Sequence, residues 1–196
     1  PNNPTGAHLS REQITQLLDV SSETLWVLDE AFRAFALDLP GFSKPGRSAN
    51  VVVMRSMTKD YALPGLRLGY AFGHSDVIAA LDKVRAPWSV NSFAQAAGLA
   101  VLQDDAFLQQ TLAQIRAASI ELRASITRLG WRVVPSAVHF FLVEVGDAKA
   151  FRSALAERGV IVRDCTSFGL PAFVRIATRT PVENARLIAA LETLRK

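Results

Sequence analysis

Four consecutive apolar residues, Val51-Val52-Val53-Met54, run directly into Arg55-Ser56-Met57-Thr58-Lys59. The run is short and rich in β-branched side chains. It reads as a strand covered on both faces, as in α/β sheets with helices on either side. Such a strand dictates where its polar sequel goes, because ligands of open α/β sheets gather at the carboxyl ends of strands. Two hydroxyls, a lysine and, eight residues past Lys59, Arg67 are delivered to that rim. A lone lysine is ordinarily a solvated surface charge; the rest of the chain bears on whether this one is.

Before that strand, Ser10 caps a helix with Gln13 as its return partner and Ile14, Leu17 and Leu18 on the apolar side. Leu25-Trp26-Val27-Leu28 reads as a buried strand ending in Asp29-Glu30, and the Gly/Pro/Ser-rich stretch 41–50 as a loop. After it, Leu68 to Phe72 forms a strand closed by Gly73. Ser75 then caps a helix with Val77, Ile78, Leu81 and Val84, stopped by Pro87. From Asp104 to Leu129, Phe107, Leu108, Leu112, Ile115, Leu122, Ile126 and Leu129 follow the spacing of one long amphipathic helix, ended by Gly130. The pattern then changes. Val133-Val134, His139 to Val145, Val160 to Val162 and Phe173 to Ala177 read as strands, with a helix at Phe151, Ala154 and Leu155. Thr180-Pro181-Val182-Glu183 opens a last helix. The expected organisation is residues 1–103 in a large α/β domain, 104–129 as a connecting helix, and 130–196 as a small α+β domain.

Composition removes several function classes. Of the 196 residues 49% are hydrophobic and 20% charged, enough for a sizeable core and against disorder. The 22 basic residues are scattered, which argues against a nucleic-acid track, since phosphate tracking needs clustered charge. No apolar run is long enough to span a membrane. His8, His74 and His139 lack metal-ligand spacing, so no metal is expected. Cys165 is the only cysteine, which fits a reducing, cytoplasmic setting. The chain starts at Pro1 inside what already reads as a working loop, Asn2-Asn3-Pro4-Thr5-Gly6, and is expected to be the C-terminal part of something longer.

Four signals line up for chemistry. Asn3 carries an amide that can donate and accept at once. Asp29 ends a buried strand, where a carboxylate costs free energy unless a cation or donor meets it. Lys59 follows the next strand with Ser56 and Thr58 before it. Arg67 lies between Gly65 and Gly69, which allow close backbone approach. An ammonium nucleophile, an acid, two hydroxyls and a guanidinium suit a ligand with an aldehyde, a basic ring nitrogen and a phosphate. That ligand is pyridoxal 5′-phosphate (PLP). Lys59 forms the Schiff base, Asp29 keeps the ring nitrogen protonated, and Ser56, Thr58 and Arg67 suit the phosphate.

With Asn-Pro-Thr-Gly (3–6), Asp-Glu-Ala-Phe (29–32), Ser-Met-Thr-Lys (56–59) and Gly-Leu-Arg-Leu-Gly (65–69) in this order, the chain resembles the fold-type-I aminotransferases of class I and II, over their C-terminal half to two-thirds. The resemblance implies part of a mostly parallel three-layer αβα PLP-binding domain followed by a small α+β domain, and a homodimer. It also implies that Asn3 touches the cofactor's phenolic oxygen and the substrate. Phe173-Val174-Arg175-Ile176 looks like the strand that presents the substrate-carboxylate arginine, here Arg175. Phe32 stands where many relatives have Tyr, so one hydrogen bond to the cofactor, on the order of 1 kcal/mol, is missing. Within the family the chain looks similar to the histidinol-phosphate aminotransferases and the threonine-phosphate decarboxylases of cobalamin synthesis. The latter often share that Phe, and Pro87-Trp88-Ser89-Val90-Asn91 resembles them too.

The expected activity is amino-group transfer on a small phosphorylated amino acid or amino alcohol, with L-threonine-O-3-phosphate decarboxylation as the alternative. A non-catalytic fragment or interaction module is the alternative of another class. Ser56-Met57-Thr58-Lys59 also matches the Ser-x-x-Lys of penicillin-binding enzymes, but their Lys-Thr-Gly motif is absent downstream.

Overall fold

A computed structural model describes residues 1–36 and 50–195, so most of the expected 41–50 loop lies outside the described residues. The chain divides into two compact units. One comprises Pro1 and Leu9–Gln109, the other Asn2–His8 and Gln110–Lys196, and the division falls inside one long helix.

The first unit begins with α1 (Arg11–Val20), closed at its start by the expected capping box: Ser10 Oγ accepts from Gln13 N–H and Gln13 Oε1 from Ser10 N–H. A three-stranded sheet follows, in the order β1 (Trp26–Asp29), β2 (Val51–Ser56), β3 (Gly69–Gly73). β1 and β2 are parallel, with Asp29 opposite Met54; β3 is antiparallel to β2, with Gly69 opposite Ser56 and Tyr70 opposite Arg55. Alternation gives each face its content. Val51 and Val53 are fully buried against Trp26, Leu28, Phe72 and the Ile14 and Leu18 side of α1.

The expectation of strands covered on both sides holds for Val51–Val53 of β2, which are all buried, but not for Met54 or for β1. On the face opposite Val51 and Val53, Val52 is buried at 3%, whereas Val27 is 55% exposed and Met54 42%, so that face is covered over Val52 and open at Val27 and Met54 among the described residues. An unbroken apolar run reports that a face can be covered, not that this stretch of chain covers it. Between β2 and β3 lie the single turn α2 (Met57–Asp60) and a 3₁₀ turn at Pro64–Leu66. α3 (Ser75–Val84) is capped by His74, whose Nδ1 accepts from Asp76 N–H, and not by Ser75, which is the first helical residue. α4 (Ser92–Val101), capped by Asn91, has no counterpart in the sequence reading. Its Ala-rich sequence shows no apolar stripe at helical spacing, so periodicity misses it.

The second unit takes up most of α5 (Asp105–Arg128), which ends at Gly130 with φ +79°. Its four-stranded sheet runs β4 (Arg132–Val133), β5 (Phe140–Glu144), β7 (Phe173–Ala177), β6 (Arg163–Asp164), antiparallel throughout. α6 (Ala148–Ala156) and α7 (Pro181–Thr193) complete it. Leu122 and Ile126 of α5, Phe141 and Val143 of β5, Val174 and Ile176 of β7, Leu155 of α6 and Leu187 and Leu191 of α7 share one core. Val160 to Val162 is not a strand. Val160 N–H closes α6 by donating to Leu155 O, and pairing with β7 starts only at Arg163.

α7 starts with a complete capping box, Thr180 with Glu183, and Arg179 also donates to Glu183 Oε1 at 2.8 Å. The Thr180 hydroxyl, then Arg179, then the Thr180 amide pull the Glu183 carboxyl from 4.5 down to about 2. The folded form therefore holds this proton less tightly than the unfolded form. The stabilisation is present above pH 4.5 and is lost as pH falls through about 2. A side-chain NMR titration of Glu183 is expected to show a midpoint near 2; one near 4.5 refutes the cap network. Thr180→Ala is expected to cost about 1 kcal/mol in denaturant unfolding.

Candidate active site

The first unit presents its polar groups where β2 ends. Ser56 is the last residue of β2 and flanks α2. Its Oγ lies 2.7 Å from Thr58 Oγ1, and Lys59 Nζ donates to the same Thr58 oxygen at 3.1 Å. Thr58 is only 7% exposed, so the middle of this chain is fixed while Lys59 reaches solvent. The Lys59 ammonium also sits over the Phe32 ring, 5.8 Å from its centroid. Phe32, the departure from Tyr, thus puts an apolar face next to the lysine.

Asp29 and Ser56 line one cleft of about 380 Å³, together with Met54, Gly69, Tyr70 and Ala71. Asp29 Oδ1 accepts from Ala31 N–H at 2.8 Å. The expectation of a buried acid is corrected here: Asp29 is exposed, on the same open sheet face as Val27 and Met54. Its cost of desolvation is therefore not incurred within this unit.

Arg67 has a left-handed backbone, φ +54°, just after the 3₁₀ turn. Its guanidinium donates to Pro64 O at 3.0 Å and not to Ser56 or Thr58. Its backbone neighbourhood is nonetheless fixed at the site, since Leu68 O accepts from Met57 N–H, and Gly69 pairs with Ser56. The carboxylate, the two hydroxyls and the lysine fit the ring nitrogen, phosphate and aldehyde of PLP. Arg67 commits Nη1 to Pro64 O and keeps its other guanidinium donors for a phosphate.

Asn3 and Arg175 belong to the second unit, and the structure brings them together: Arg175 Nη1 donates to Asn3 Oδ1. The loop carrying Asn3 is held by Gly6, whose O accepts from Ala137 N–H. Gly6 has φ +69°, and a Cβ there would lie 1.8 Å from Ser136 Oγ, so only glycine fits. Arg175 also lies over the Phe140 ring at 5.4 Å.

Sequence reasoning missed two neighbours of Arg175. Arg163 stands directly opposite it on β6, and both line one cleft of about 480 Å³. His139, read before as a lone histidine, is near enough to feel the charges of Arg175 and Arg123. Only the register of the sheet could have revealed either.

An αβα-type sheet unit with a lysine at a strand end, followed by a small α+β unit, is the fold of type-I aminotransferases. The chain belongs to the aminotransferase class I and II family, which matches residues 1–191. Histidinol-phosphate aminotransferase 1 of Thiobacillus denitrificans is 40% identical over 97% of this chain and 51% of its own length. The crystal structure of L-threonine-O-3-phosphate decarboxylase from Porphyromonas gingivalis superposes with a TM-score of 0.89 at 32% identity, over 100% of this chain and 63% of that one. Histidinol-phosphate aminotransferase from Sinorhizobium meliloti, solved in complex with pyridoxal-5′-phosphate, gives 0.86 at 27%, over 99% of this chain and 56% of that one. The chain spans about half the length of the curated relatives it matches. Among the described residues no helix is long and apolar enough to cross a membrane, and no cluster of metal-ligating side chains occurs.

Burial first, then Arg175 and Arg123, push His139 from 6.5 down to about 4. As pH falls, the unfolded chain takes up this proton before the folded one does. Stability is therefore expected to decline between pH 6.5 and about 4, by on the order of 3 kcal/mol, and to level off below. Denaturant unfolding across that range checks it. His139→Asn should flatten the slope, and an unchanged slope refutes the assignment.

Proposed function

We propose that this protein is a PLP-dependent aminotransferase acting on a small phosphorylated amino acid or amino alcohol of the histidinol-phosphate kind. The observation that carries this is the hydrogen-bonded series Ser56–Thr58–Lys59 at the end of β2, in one unit with the Asp29 carboxylate. When bound, PLP supplies an electron sink for a carbanion at the substrate's α-carbon. The rest is done by the chain. Asp29 holds the proton on the ring nitrogen. Ser56 and Thr58 donate to the phosphate, and Arg67 joins them with the guanidinium donors that Pro64 O leaves free. Lys59 anchors the aldehyde and moves the proton from one carbon to the other. Arg175 grips the substrate carboxylate with its planar fork, and Asn3 serves both cofactor and substrate. Arg163, facing Arg175, adds a second cation for a substrate that carries two anionic groups.

A decarboxylase acting on L-threonine O-3-phosphate is the second reading. It is favoured by Phe32, whose ring faces Lys59 without a hydroxyl, and by the similarity to the decarboxylase from Porphyromonas gingivalis. The protein is proposed to work as a homodimer in the cytoplasm. In support, Trp88 is 96% exposed, Phe93 83% and Leu99 68%, apolar surface in and beside α4 that association would cover. The buried Cys165 thiol is free.

Purified full-length protein is expected to show the visible absorbance of lysine-bound PLP. Lys59→Ala should lose that absorbance and at least on the order of 10²–10⁴ in turnover. Absorbance that survives Lys59→Ala refutes the lysine assignment. Incubation with histidinol phosphate plus 2-oxoglutarate should yield glutamate, whereas release of carbon dioxide from threonine phosphate selects the second reading.

A further inference from the structure

Arg55 is the one polar side chain of β2 on the core face of the first sheet. Strand alternation puts Arg55 on the side of Val51 and Val53, away from Met54 and Ser56. There its Nε and Nη2 both donate to Glu30 Oε2, at 3.0 and 2.8 Å. Side-chain exposures of 29% for Arg55 and 10% for Glu30 make this an internal pair, not a screened surface contact. Glu30 also extends the parallel ladder one residue beyond β1, its N–H donating to Met54 O at 2.9 Å. The guanidinium is braced by the Phe72 ring, 5.5 Å away, and by Tyr70 opposite it in register.

Asp60 feels the Arg55 charge but is not among its hydrogen-bond or ion-pair partners. Burial raises the Asp60 carboxyl, and its own amide, the Tyr61 amide and Arg55 draw it back. Arg55 itself loses to burial, but Glu30 and Tyr70 more than restore it, so its charge is held firmly. Arg33 is another cation that faces Glu30, and its charge also reaches Arg55. Glu30 directly follows Asp29, and Asp60 directly follows Lys59. We propose that Arg55 is a positioning residue that ties the strand end carrying Asp29 to the end of β2, which leads through Ser56 into the turn carrying Lys59. The proposal rests on the reading of those two residues as the cofactor's ring-nitrogen partner and anchoring lysine. The planar guanidinium meets Glu30 with two donors on one edge; a lysine ammonium, a single point on a flexible stem, cannot hold that geometry.

The test uses the full-length protein with Arg55→Met, Arg55→Lys and Glu30→Gln. Arg85→Met, which removes an exposed pair with Asp82, is the control. Amide hydrogen exchange of the apo form is read at residues 28–31 and 57–61. PLP affinity and the pH midpoint of the lysine-bound absorbance are read on the loaded form. Arg55→Met is expected to speed exchange at least tenfold in both segments while Val51–Val53 keep their protection. It should weaken PLP at least tenfold and move the spectral midpoint. Arg55→Lys should restore part of each effect, and Arg85→Met should change none. Should Arg55→Met fail to fold, Glu30→Gln, which removes only the partner's charge, is expected to give the same paired exchange effect.

Wild-type exchange in either segment overturns the proposal. So does faster exchange spread evenly through Val51–Val53 with an unmoved spectral midpoint, which marks a purely stabilising role. A wild-type protein that binds no PLP refutes the cofactor reading, and with it the catalytic half of this inference. The exchange arm, being free of PLP, then shows whether the tie between the two segments exists.

Discussion

The first unit depends on β2 being hydrogen-bonded on both sides in one register. A slip by a single residue would turn Arg55 onto the face held by Asp29 and Met54, and Ser56 onto the face held by Val51 and Val53, breaking the Arg55–Glu30 pair. Val51, Val52 and Val53 are all buried, and burying each Val side chain is worth about 1.5–3 kcal/mol, so the strand is held in the sheet from both faces. The same register sets Asp29 beside Met54 and Ser56 beside Gly69. Gly69 is needed there, because a Cβ would lie 2.8 Å from Arg55 O. The register of the buried valines therefore also fixes where the carboxylate and the hydroxyl stand.

How much of this was legible follows from the range of each signal. Capping boxes are local, three residues wide, and Ser10–Gln13 and Thr180–Glu183 both form as read. Lys59 is also a local reading, a lysine immediately beyond an apolar run. What failed was longer in range. The exposure of Val27 and Asp29 depends on what packs over a sheet face, which a strand's own composition does not state. Val160 to Val162 has strand composition, but closing α6 takes the Val160 amide. The Arg55–Glu30 pair joins residues 25 apart, and Arg163–Arg175 joins neighbouring strands. Both are products of register, invisible until the strands are aligned.

Charge in the second unit is arranged differently. Arg163 faces Arg175 directly, and like charges so placed cost roughly 0.2–1 kcal/mol. Arg123 and a neutral His139 stand near as well. Against this, the hydrogen bond from Arg175 to the Asn3 amide is worth about 1.5–3 kcal/mol, and the Phe140 ring adds about 0.5–1 kcal/mol. The favourable terms win, yet neither brings a negative charge. The cleft that Arg163 and Arg175 share is also lined by Arg152, Arg179 and Arg186 against the carboxylate of Glu183, which Arg179 already engages, so it stays cationic and favours an anion.

On the proposed reading, the Asn3–Arg175 contact bears on which substrate bond breaks. The bond that stands perpendicular to the cofactor ring is the one activated, so the angle at which the carboxylate is held chooses between transamination and decarboxylation. Arg175 commits Nη1 to Asn3 before any substrate arrives. A guanidinium pinned at one corner and laid over the Phe140 ring has lost most of its freedom to rotate. Its remaining donors still form a flat fork, and a carboxylate that binds it bidentately must adopt that plane. The Asn3 amide keeps its two N–H donors for an oxyanion while its oxygen holds the arginine. One side chain thus sets both the plane of the substrate's carboxylate and a contact to the cofactor. The choice of reaction is then built into the second unit by the hydrogen bond that orients Arg175, independently of the lysine that carries the proton.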